Sequence, residues 1–154
     1  MSNTLSASFT PNTGVLSIVV NFSGIPPSNV IISSDPNNPN DHILVSSGDG
    51  GFTTINSGSS ASLSITAPIL QINFNALNNG CIIHLKNLIL PLPGQAMPVF
   101  TINNGSGLGF VEVEPGTVLP SFTINLISHP VNLTIHPGAQ VGVLGNPTPV
   151  AQPN

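Results

Sequence analysis

Short runs in which an apolar residue alternates with Ser, Thr or Asn recur along this chain, and turn-forming residues interrupt them about every ten positions. A period of two puts alternate side chains on opposite faces of a strand, so each run predicts a half-buried β-strand. Leu5 to Thr10 alternates, and Pro11-Asn12-Thr13-Gly14 then turns the chain into a second run, Val15 to Phe22. Val30 to Ser33 is a short third strand. The polar segment 35–41, with two Asn/Asp-Pro pairs, reads as a loop, because proline withholds a ladder donor and Asx-Pro pairs initiate turns. Ile43 to Ser46 leads into Gly48-Asp49-Gly50-Gly51, a hairpin signal. Further runs are Phe52 to Asn56, Ala61 to Thr66, Ile69 to Phe74, Val99 to Asn103, Leu108 to Val113, Ser121 to Ile127, Val131 to Ile135 and Val141 to Leu144.

The longest apolar stretch, Cys81 to Leu90, fits a helical turn or a strand buried on both faces. Its isoleucines, the Asn79-Gly80 turn before it and Pro91 after it favour the strand. About eleven or twelve short strands with no persuasive amphipathic helix predict an all-β chain, an antiparallel β-sandwich or jelly roll. Residues 1–10 form a possible strand arm, 11–144 the sandwich domain, and 145–154 an extended proline-rich tail. The segments SASFTPNTGVLSIVVNF, SASLSITAPILQINF and PSFTINLISHPVNLTI echo one another. Their spacing is irregular, so they predict a recurring hairpin rather than a fixed-period solenoid.

Composition changes this picture in one respect. Only 4 % of the 154 residues are charged: one lysine (Lys86), no arginine, and five acids, Asp35, Asp41, Asp49, Glu112 and Glu114. Soluble domains usually carry about a quarter. A surface of amides and hydroxyls lacks the charge that keeps proteins apart and the gatekeepers that protect strand edges. The expected partner is therefore a second copy of the chain, and the expected role a structural subunit of an extracellular filament, appendage or surface layer. A viral capsid, decoration or tail component is the alternative, with the virion as its location. A secreted carbohydrate-binding module comes third, because Trp and Tyr, the usual stacking platforms, are absent. One lysine cannot neutralise a row of phosphates, so nucleic acid is not an expected partner. No apolar run reaches the ~18 residues that span a bilayer as a helix, so membrane insertion is not expected either.

Candidate chemistry is sparse. No catalytic signature is present, and no enzyme activity or cofactor is expected. Asp35, Asp41 and Asp49 lie in neighbouring polar loops and are the candidate oxygen ligands for Ca²⁺, although Asp/Asn loops are also ordinary turns. His42, His84, His129 and His136 show no zinc-motif spacing. Glu112 and Glu114, two apart on a strand, share one face, and a salt bridge to Lys86 is expected there ahead of catalysis. Cys81 precedes two isoleucines and reads as a small buried hydrophobe. Asn21, Asn104 and Asn132 head glycosylation sequons, of which Asn104, in a turn, is the best placed.

Overall fold

Fifteen strands and no helix account for the regular structure in a computed structural model that describes residues 3–22, 27–75, 81–103, 109–126, 131–144 and 150–153. The first six are β1 (Asn3–Thr10), β2 (Val15–Phe22), β3 (Ser28–Ser34), β4 (His42–Ser47), β5 (Thr53–Ile55) and β6 (Ser60–Ser64). Then follow β7 (Gln71–Asn75), β8 (Cys81–Leu85), β9 (Val99–Asn103), β10 (Gly109–Val113), β11 (Val118–Phe122), β12 (Ile124–Leu126), β13 (Val131–Ile135), β14 (Gln140–Leu144) and β15 (Val150–Pro153). The expectation of an all-β chain holds. The strand count is higher than expected, because the run Ser121 to Ile127 divides between β11 and β12 and the expected tail contributes β15.

The expected antiparallel pairing holds for β1/β2, β3/β4 and β4/β6. The other nine pairings are parallel. Strands β2, β7, β9 and β12 lie side by side in that order in one sheet, and β3, β8, β10, β13 and β15 in a second. A third, narrow face carries β11 and β14, and an isolated bridge joins Ile89 to Val118 just before it. From β7 to β14 the chain therefore visits the first sheet, the second sheet and the third face in turn, then begins again one strand further along. It is a stack of coils. The reason is physical: parallel neighbours need a long return connection, and here that connection is the rest of the coil.

The coils shorten along the chain. Gln71 faces Val99, twenty-eight residues on, and Cys81 faces Gly109 at the same spacing. Gly109 then faces Val131, and Val118 faces Gln140, both twenty-two residues on. Asn132 faces Val150, eighteen on. This taper is why the sequence shows no constant period.

Stacking aligns apolar positions into inward columns. Leu16, Ile72, Phe100 and Ile124 occupy one register position of the first sheet. Val30, Ile83, Val111 and Leu133 occupy one of the second. All are buried in a single core. Phe100 meets Phe122 edge-on, with ring centroids 5.1 Å apart, and so joins the first sheet to the third face. A Cβ on Gly142 would lie 1.9 Å from the carbonyl oxygen of Pro120, so the close approach of β14 to β11 requires glycine there. Thr117, fully buried, donates its hydroxyl to the Leu85 carbonyl at 2.7 Å and accepts from the Leu88 N–H at 3.3 Å, which ties two successive coils at a corner.

Strand β1 lies between β2 and β5 of its own chain, with Leu5 and Ala7 in the core. Next to it, Asn56 stands in for a missing strand neighbour. Its Oδ1 accepts from the Ala7 N–H at 2.8 Å, and its Nδ2 donates to the Ala7 carbonyl at 2.9 Å. The stretch Cys81 to Leu90 is a strand only as far as Leu85, and it buries one face rather than both. Lys86 and Asn87 are exposed where the chain turns, with Asn87 at φ 52°, and Leu88 and Leu90 re-enter the core. Of the tail, Val150–Pro153 extends the second sheet as β15; 145–149 and Asn154 lie outside the described residues.

Candidate functional site

The outward face of the second sheet gathers half of the chain's lysine, acidic and histidine side chains. They are Lys86, Glu112, Glu114, His84 and His136, from a chain with one Lys or Arg, five acids and four histidines. The coil stack explains the gathering. Glu112 on β10 faces His84 on β8 and Thr134 on β13. One step further along the alternation, each strand presents its next outward residue: Lys86, Glu114 and His136. A central coil with two carboxylates thus sits between a coil bearing His84 and Lys86 and a coil bearing His136.

The corners keep this register. Glu114-Pro115-Gly116 and His136-Pro137-Gly138 are the same turn on successive coils. Gly116 and Gly138 have φ of 89° and 95°, and the Gly116 N–H donates to the Gly138 carbonyl at 3.3 Å. The turns stack, so the residues leading into them stack as well.

The contacts are short. His136 Nε2 lies 2.6 Å from Glu112 Oε1 and 3.9 Å from Glu114 Oε1. His84 Nδ1 lies 2.8 Å from Glu114 Oε2. The side chains of Glu112 and Glu114 are 24 % and 22 % exposed, so these pairs are only partly screened by solvent. The hydrogen bond to Glu112 raises the His136 pKa above the usual histidine value. Partial burial opposes that rise, and the negative charges of Glu114 and Glu112 add to it. The expected partner of the two glutamates, Lys86, makes no ion pair with them. It borders a shallow recess beside His84 and Glu114 instead.

The three aspartates stand apart and are satisfied locally. Asp35 accepts from the Asn37 N–H at 2.9 Å and from the Ser62 hydroxyl. These bonds, Ser62 first, hold its carboxyl below the ordinary range. Asp41 meets His42 Nδ1 at 2.7 Å. Asp49 accepts from the Thr53 N–H at 2.7 Å, the Thr53 hydroxyl at 2.6 Å and the Ser47 hydroxyl at 2.9 Å, closing the glycine-rich hairpin. Among the described residues, the three or more ligating side chains that converge within 4.8 Å are Glu112, Glu114 and His136.

Cys81 opens β8 fully buried, and burial pushes its thiol pKa up to about 12. Asn21 is exposed at the end of β2 and donates to the Ser6 hydroxyl. Asn132 is half-buried on the outward side of β13. Asn104 and His129 lie outside the described residues.

Sequence spacing alone leaves His84 and His136 unconnected, because they are neighbours only through β10. One signal was available. The two Pro-Gly pairs stand at the same twenty-two-residue spacing as the β10/β13 and β11/β14 registers. No protein-family model matches this chain, and no curated protein or solved structure is significantly similar to it.

Proposed function

We propose that this protein is a structural, self-assembling subunit that polymerises through strand-edge contacts between copies, as part of an extracellular filament, appendage or surface layer. One observation carries the reading. The strands that border the sheets, β5 (TTI), β6 (SASLS), β11 (VLPSF), β12 (INL), β14 (QVGVL) and β15 (VAQP), contain no charged residue. A strand edge is a row of unpaired N–H and C=O groups, and soluble proteins usually blunt such rows with charge. Here the two ends of the coil stack differ, so a contact between opposite ends is head-to-tail, and such contacts give open polymers where the rotation between copies does not close a ring. In this reading the two large sheets enclose one core as the layers of a sandwich or jelly roll do, and the subunit lengthens by adding another copy's strands.

Negative-stain microscopy and light scattering of the full chain at micromolar concentration test the proposal. Ordered, extended particles are expected at neutral pH. A monodisperse monomer from pH 5 to 8 overturns it.

A secreted carbohydrate-binding role is the second reading, supported by a recess on the outward side of the first sheet. Ser17, Gln71, Asn73, Thr101 and Asn103 line it, and Asn73 Oδ1 is shielded from solvent with no hydrogen-bond partner. Such amides suit sugar hydroxyls. Saccharide-induced shifts in the amide resonances of these residues support that reading, and unchanged spectra at millimolar saccharide reject it.

A further inference from the structure

We propose that Glu112, Glu114 and His136 form a binding site for a divalent transition metal of the zinc class, with His84 as the residue that positions Glu114. The donor atoms come from two stacked coils and converge within 4.8 Å. Zinc holds nitrogen and oxygen donors at about 2.0–2.2 Å, which places tetrahedral donors about 3.3–3.6 Å apart. The separations of 2.6 Å and 3.9 Å from His136 bracket that spacing, and the two carboxylates lie within 4.8 Å of each other, so small rotations of these partly exposed side chains reach it. Imidazole together with carboxylate selects zinc-like ions, whereas Ca²⁺ and Mg²⁺ take oxygen donors. A carboxylate ligand held by a second residue is the usual outer shell of such sites, and His84 Nδ1 at 2.8 Å from Glu114 provides that hold.

The rest of the chain strengthens the argument. It carries 4 % charged residues, yet both of its glutamates are here, in contact with two of its four histidines. Its single cysteine rules out an internal disulfide, so a metal would supply a coordinate clip between two coils. On binding, His136 Nε2 gives up any proton to solvent and turns its lone pair to the ion. Glu112 Oε1 exchanges its hydrogen bond to His136 for a metal bond, Glu114 binds through Oε1 while its Oε2 keeps the contact to His84, and water fills the solvent-facing position. Lys86 borders the recess beside His84 and Glu114, and its positive charge weakens the site.

The test uses the full chain, freed of metal with chelator and then titrated with ZnCl₂ in a calorimeter, with thermal unfolding followed in parallel. Saturable binding at one ion per chain and a raised unfolding temperature are expected with Zn²⁺, and no shift with equal Ca²⁺. His136→Ala and Glu112→Gln should each weaken zinc binding by at least about tenfold. Lys86→Gln, which removes a cation without touching a ligand, should tighten it. His42→Ala, at the distant Asp41 pair, should leave it unchanged. Co²⁺ gives an independent readout, because a tetrahedral site shows visible absorption bands whatever the protein's stability. Absence of zinc binding in wild-type protein, or binding unaltered in a folded Glu112→Gln/His136→Ala variant, overturns the proposal. Neither outcome bears on polymerisation, which is scored separately by microscopy.

Discussion

Residues 3–66 and the stack that follows them use the same strand chemistry and differ in pairing. Among residues 3–66, three pairings are antiparallel and one, β1 with β5, is parallel. From Gln71 onward every pairing among the described residues is parallel. In the first region a turn motif such as Pro11-Asn12-Thr13-Gly14 decides both the partner and its direction, because a short turn can join only antiparallel neighbours. In the second region the chain turns a corner after each strand, and the partner arrives one coil later. Alternation teaches which side chains face inward in both regions. It says nothing about which backbone they will pair with.

The largest expected effect asks whether the two regions are one cooperative unit. Leu85, in the coils, and Leu5, in β1, are both almost fully buried, and both belong to a single core. Leu85→Ala and Leu5→Ala should each cost about 2–5 kcal/mol by leaving a cavity. Both should lower one shared transition in urea. Hydrogen exchange that shows β1 and β2 opening ahead of the coils in Leu5→Ala would divide the molecule at that boundary.

Polar side chains that complete the backbone ladder sharpen the comparison at a smaller scale. Asn56 serves the first region by pairing with both polar groups of Ala7, at a φ of 49° that asparagine tolerates better than alanine. Thr117 serves the second by bridging Leu85 and Leu88. Asn56→Ala and Thr117→Val should each destabilise by about 1–3 kcal/mol, because each leaves backbone groups short of a partner. An unchanged urea midpoint for either variant would show that water replaces the side chain.

The smallest effect belongs to the first region alone. Asp35 has a folded pKa below its unfolded value, which lies near 3.9. Its contribution to stability is therefore complete above about pH 4 and is lost as pH falls through the lower, folded pKa. Asp35→Asn should flatten the acid limb of the stability profile in that window and leave the neutral region's slope unchanged. A wild-type acid limb retained in the variant would assign acid sensitivity to another carboxylate.

Much of the fold was legible from residues alone. Val15 to Phe22, Val99 to Asn103 and Val131 to Ile135 are strands where the alternation puts them. The burial of Cys81 follows from its isoleucine neighbours. Lys86 shows where that reasoning stops. It sits inside the most apolar stretch of sequence, yet it is exposed, because Asn87 turns the chain there. The His–Glu patch was less legible still. The pairing of Glu112 and Glu114 on one face is a local fact, two positions along one strand. Their meeting with His84 and His136 depends on coils of twenty-eight and twenty-two residues closing in register.

By itself, the sequence determined that this chain is built of strands, which side of each strand is apolar, and how little charge its surface carries. These follow from period-two alternation and composition, which act on neighbouring residues and need no partner. The tertiary structure decided the rest: parallel or antiparallel pairing, the taper of the coils, and the convergence of five ionisable side chains on one sheet. Backbone hydrogen bonds do not depend on side-chain identity. The choice of partner was therefore left to corner geometry and to the packing of a shared core.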